Sequence, residues 1–106
     1  FATSRRPDAV FVANDHMAFA VMDVLRFELG LRVPEDVSVV GFDDVPPAAW
    51  PAYNLTSFRQ RVEQMVAETV AMLLARIDGD ESGSPHVVLG GELIIRGSTR
   101  RYGDAR

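Results

Sequence analysis

The sequence predicts an α/β fold, a parallel sheet with flanking helices. Two observations carry that expectation. Two short apolar runs, Ala9 to Ala13 and Val37 to Phe42, bracket a stretch of helical periodicity. Strand, helix and strand within ~35 residues is the spacing of a βαβ unit with parallel strands. A second periodic stretch follows, about Gln60 to Ile77, in which Val62, Val66, Thr69, Val70, Leu73 and Ile77 form an i, i+3/i+4, i+7 stripe.

Taken in order, Pro7-Asp8 makes a turn into the first strand. Asn14 and Asp15 end that strand, and either can cap the helix expected over about Asp15 to Leu29. Gly30 stands where a helix commonly turns left-handed after its last residue. "LRVPED" is a loop, and "VSVVGF" is rich enough in valine to read as a buried strand. "DDVPPAAWPAYN" is a proline-rich loop, "LTSF" a short extended piece, and Asp78-Gly79 stops the second helix. "GDESGSP" reads as a polar surface loop. "HVVLGGELIIRG" reads as two strands with a hairpin turn at Gly90-Gly91. The arginine-rich tail from Arg100 to Arg106 is expected to fray.

A chain of 106 residues supports one small domain. A net charge of -4 and a pI near 5.0 argue against nucleic-acid binding by electrostatics and against a polybasic membrane patch. The absence of cysteine excludes disulfides and Cys-based metal sites. No apolar run approaches a membrane span, and Phe1 to Ser4 is not the basic start of a signal peptide. The chain begins at Phe1 without a methionine, so it is expected to be a piece of something longer.

The apolar strand "VSVVGF" runs straight into Asp43 and Asp44, with no neutralising residue nearby in sequence. In parallel α/β sheets ligands bind beyond the carboxyl ends of the strands. Asn14 and Asp43 end the two predicted strands, ~5 Å apart if the strands are neighbours and ~10 Å if one lies between. A carboxylate that only accepts and an amide that both donates and accepts suit a polyhydroxyl ligand. Asp, Asn and Pro are also ordinary loop residues after a strand. Asp15, His16, Asp43 and Asp44 form the other conceivable cluster, for proton transfer or a divalent ion. No nucleotide-binding, esterase or zinc-protease motif accompanies them. The expectation is therefore no enzyme, no catalytic residue, no metal and no cofactor.

On a helical wheel Ala18, Val21, Met22, Leu25 and Leu29 share the face expected to pack on the sheet. Phe19, Ala20 and Phe27 fall on the opposite side, with Met17 and Val24 on a flank. An apolar outer face implies a second partner, either another part of a longer chain or another subunit. Trp50 and Tyr53 in the proline-rich loop are residue types enriched at interfaces.

"PDAVFVANDHMAFAVMDVLRFELGLRVPEDVSVVGFDDVPPAAW", then "LTSFRQ", the second helix and "VVLGGELIIRGST", closely resembles the C-terminal part of LacI/GalR-family transcriptional regulators. The resemblance implies a periplasmic-binding-protein-like type I fold of two subdomains with a small-molecule effector, expected to be a sugar, in the cleft between them. Residues 1–106 would be the C-terminal portion of that effector-binding and dimerisation domain. Residues 60–89 would pack with the N-terminal subdomain. It further implies effector binding by Asn14 and Asp43, and a homodimer interface including Phe19, Met22, Arg26 and Trp50. DNA would be read only through an N-terminal helix-turn-helix outside this sequence, in a cytoplasmic protein without membrane contact. Asp15 and Asp44 would be capping and loop residues. The alternatives are a sugar-binding protein of a transport system and a truncated dimerisation remnant without ligand.

Overall fold

The structure is a computed structural model and describes residues 6–79 and 87–100. The polar loop expected over 79–85 therefore lies almost wholly outside the described residues, as does the tail expected over 100–106. The chain divides into two compact units, one of residues 1–59 with 92–106 and one of residues 60–91.

The first unit is built on a four-stranded sheet of β1 (Ala9–Phe11), β2 (Ser38–Phe42), β3 (Thr56–Arg59) and β4 (Glu92–Ile94), in that spatial order. β1, β2 and β3 run parallel, and β4 is antiparallel to β3. The predicted parallel sheet is present, and its first crossover is helix α1 (Asp15–Asp23). The second crossover, residues 43–55, is long enough to return a parallel strand without a long helix. It contains a 3-10 turn at Pro46–Ala49, where the prolines fit the start of a helical turn.

The expected helix over Asp15 to Leu29 changes character partway. After Asp23 it widens into a π-helical segment, Val24–Glu28, closed by the Leu29 N–H donating to the Val24 carbonyl at 3.0 Å. No glycine or proline announces this, and the wider turn rotates the later side chains off the regular wheel. Leu25 is buried, while Leu29, expected to face the sheet, is 41% exposed.

Alternation along β2 sets the core. Val39 and Gly41 are buried against α1 together with Val12, Ala18, Met22, Leu25, Val37 and Leu55. On the opposite face of the sheet Phe42 and Phe58, partners in register, stack with centroids 5.4 Å apart and planes within 6°.

The hairpin expected at Gly90-Gly91 does not form. Residues 87–91 are irregular, and β4 pairs instead with β3, Leu93 opposite Phe58 and Ile94 opposite Ser57. A long-range strand pairing overrides the local turn signal. Beyond β4, Ser98 stitches the sheet from the side. Its hydroxyl donates to the Val39 carbonyl at 2.6 Å and accepts from the Thr56 N–H at 2.8 Å.

In the second unit α2 spans Val62–Ile77 and stops at Gly79, whose φ of +83° favours a residue without Cβ. None of its residues is buried, and the stripe read from the sequence (Val62, Val66, Val70, Leu73, Ile77) is exposed along its length.

Candidate functional site

Both residues singled out as effector ligands stand at the carboxyl end of the parallel strands. Phe11 pairs with Val40, and Asn14 and Asp43, each three residues further on, follow the carboxyl ends of these adjacent strands. Of the two spacings considered, the neighbouring one, ~5 Å, therefore applies to the strands that carry them. Asn14 caps α1. Its backbone is extended, and its side-chain oxygen accepts the Met17 N–H at 2.9 Å. The cap occupies the acceptor, so what Asn14 chiefly offers a ligand is its N–H donors.

Asp43 and Asp44 both adopt positive φ, 117° and 57°. Conformations of this kind cost ~1–3 kcal/mol each and persist only where the surroundings impose them. Here they do. The Asp43 N–H donates to the Phe58 carbonyl at 2.9 Å, and the Asp44 N–H to Ser57 Oγ at 3.0 Å. The Val45 N–H donates to Asp15 Oδ2 at 2.8 Å. Asp15, expected to be a local cap, is wholly buried and joins three segments, since its Oδ1 also accepts the Ser57 hydroxyl at 2.7 Å. Gly41 makes room for it. A Cβ there would overlap the Asp15 carboxylate and stand 2.8 Å from Leu55 Cδ2.

Asp44 is neutralised from far along the chain. Arg59, at the end of β3, donates from Nε to Asp44 Oδ2 at 2.7 Å. Arg96, just beyond β4, brings Nη2 to 2.7 Å from Asp44 Oδ1, while its Nη1 donates to the Leu55 carbonyl at 2.7 Å. The Arg96 contact is an ion pair without an aligned hydrogen bond to Oδ1. The Asp44 side chain is only 3% exposed. Burial pushes its carboxyl upward, but Arg96 and Arg59 outweigh burial and hold it below the ordinary carboxylate range. Sequence reasoning missed both arginines and Ser57. Arg96 lies within the closing "RGST", but nothing local pairs it with Asp44.

The four residues expected at a dimer surface separate. Met22 is fully buried within the chain and Phe19 is 8% exposed, so neither is among the exposed side chains of this helix. The second crossover covers that side of α1, placing Tyr53 against Phe19 with ring centroids 4.3 Å apart. Arg26 ties the same crossover down, donating to the Ala52 carbonyl at 2.7 Å. Trp50 is exposed, as are Met17, Val24 and, at 80%, Phe27. Val24 also lines a shallow apolar groove with Ala20, Val21, Leu25 and Leu29.

Known proteins give this arrangement a context. The family described as periplasmic binding protein-like domain matches residues 1–99. The probable HTH-type transcriptional repressor ExuR of Bacillus subtilis is 36% identical over 95 residues, 90% of this chain and 28% of its own. The HTH-type transcriptional regulator CelR of Thermobifida fusca is 43% identical over 91 residues, 86% of this chain and 26% of its own. Among solved structures, the transcriptional regulator CelR–cellobiose complex superposes with a TM-score of 0.77 at 43% identity, over 86% of this chain and 28% of that one. The lac repressor dimer bound to operator and the anti-inducer ONPF superposes with a TM-score of 0.78 at 34% identity, over 88% of this chain and 32% of that one. This chain thus spans little more than a quarter of the curated relatives named here, which are transcriptional regulators. It belongs to the periplasmic binding protein-like domain family, in the form found in LacI-type regulators.

Proposed function

We propose that this chain is the effector-sensing and dimerisation portion of a LacI-type DNA-binding repressor, with a sugar or similar small polar molecule as effector. The observation that supports the reading is that Asn14 and Asp43 both follow the carboxyl ends of adjacent parallel strands. A sugar hydroxyl donates to the carboxylate and accepts from the amide. The CelR–cellobiose complex, 43% identical to this chain, supports a sugar as the class of ligand.

The rest of the cleft and the DNA-reading head belong to the full-length protein. In this reading α2 packs its exposed stripe on the N-terminal subdomain, and the exposed apolar residues of the first helix, with Trp50, pair two copies. The protein works in the cytoplasm, where its DNA is. Effector binding acts by linkage. It shifts the equilibrium between open and closed dimers by its difference in affinity for the two, and DNA affinity changes by the same coupling.

Calorimetric titration of the full-length protein with cellobiose and a panel of mono- and disaccharides tests the reading. At least one sugar is expected to bind, and Asp43→Ala to weaken it by about 10–100-fold, the worth of a charge-assisted hydrogen bond. A folded wild-type protein that binds none of the panel overturns the sugar assignment.

A further inference from the structure

We infer that Asp44 is a positioning residue for effector binding, acting through Asp43 by way of its clamp to Arg59 and Arg96. The inference rests on the reading of Asp43 as an effector ligand and extends it to residues that touch no ligand.

Three features converge on it. First, the turn that carries Asp43 is strained, with positive φ at both aspartates, and its shape must be imposed. Second, the Asp44 carboxylate is held from two separate segments of the chain. Arg59 holds one oxygen from the end of β3, and Arg96 approaches the other from beyond β4 while bound to the Leu55 carbonyl. Third, the covered carboxylate engages both guanidinium groups at once, Arg59 at one oxygen and Arg96 at the other. With Asp44 charged and clamped, the arginines are committed. With Asp44 neutral, that hold weakens and the turn that carries Asp43 loses its tether to β3 and to the segment beyond β4.

The clamp also sits where the chain leaves and re-enters this unit. Arg59 is the last residue before the segment 60–91, and Arg96 follows soon after it. The turn that offers Asp43 is therefore fixed to both ends of that excursion.

The test is a double-mutant cycle in the full-length protein, read as the dissociation constant of the sugar that the wild type binds best in the panel, with thermal unfolding alongside. Asp44→Asn is expected to weaken binding about tenfold, and to have no further effect in the Asp43→Ala background, because it acts through Asp43. An Asp44→Asn protein with wild-type affinity, or a loss that adds in full to that of Asp43→Ala, overturns the inference. If Asp44→Asn does not fold, the half-exposed Arg59 supplies the second variant. Arg59→Gln is expected to weaken binding several-fold and Arg59→Lys to restore most of it, whereas a folded Arg59→Gln protein with unchanged affinity overturns the inference. Asp43→Ala alone separates the two levels. If it binds as well as wild type, the effector reading of Asp43 falls. If it is weakened while Asp44→Asn is not, only the positioning role falls.

Discussion

The Asp15 carboxylate, buried at the start of α1, accepts the hydroxyl of Ser57 on β3 at 2.7 Å. Ser57 in turn accepts the N–H of Asp44 at 3.0 Å, so one hydroxyl joins the first crossover, the third strand and the turn that carries Asp43. A carboxylate without access to water depends on such partners, because protein groups must replace the lost hydration.

Ser57→Ala removes the donor to Asp15 and the acceptor for Asp44 together. It leaves two polar groups short of a partner, one of them charged. The expected loss is about 2–3 kcal/mol, measured as a lower urea midpoint with unchanged slope. Ser57→Thr, which keeps the hydroxyl, should recover part of it.

Gly41→Ala tests the packing beneath the same network. The added methyl meets the Asp15 carboxylate and Leu55 Cδ2, and neither is a loose end of a flexible side chain. Overpacking of this kind costs about 1–3 kcal/mol. The midpoint of thermal unfolding should fall accordingly. An unchanged midpoint would mean that Asp15 can move aside and does not hold the turn.

The two strand ends were legible because each apolar run stops abruptly at a polar residue, and the parallel sheet because the spacing permits little else. The partners of Asp44 were not, since Arg59 and Arg96 reach it only once β3 and β4 are assembled. Phe19 falls on the outward side of the wheel because a wheel sees only its own helix, and what covers it is Tyr53, from the crossover. Met22 lies on the packed face, as the wheel places it, and is fully buried there. The Gly90-Gly91 turn signal was real in composition. It lost to the long-range pairing of β4 with β3.

Stability should depend on pH through Asp44. Its folded pKa lies below the unfolded value of about 3.9, so its contribution is complete above that value and is lost as pH falls through the folded pKa. At neutral pH Asp44→Asn should cost about 2 kcal/mol. That is less than the 3–5 kcal/mol typical of breaking a fully buried pair, because Arg59 is half exposed. The difference between wild type and Asp44→Asn in urea unfolding should stay constant above about pH 5 and shrink towards zero as pH falls below 4. A difference that persists undiminished to pH 2 would mean that the clamp does not act through charge.

Phe19 and Phe27 lie on one helical segment and should behave oppositely. Phe19 is buried and stacked on Tyr53, so Phe19→Ala should cost about 3–5 kcal/mol in chemical unfolding, the usual loss for a core aromatic. Phe27 is 80% exposed, so Phe27→Glu removes almost no packing within the chain. If the exposed apolar face of this helix pairs two copies, the new charge is desolvated at the interface without a partner. Dimer affinity should then fall at least tenfold, read by sedimentation velocity across a concentration series, while the unfolding of the dissociated protein stays as it was. A Phe27→Glu protein that remains dimeric at nanomolar concentration would remove this face from the interface, leaving Trp50 and the groove beside Val24 as the surface to test next.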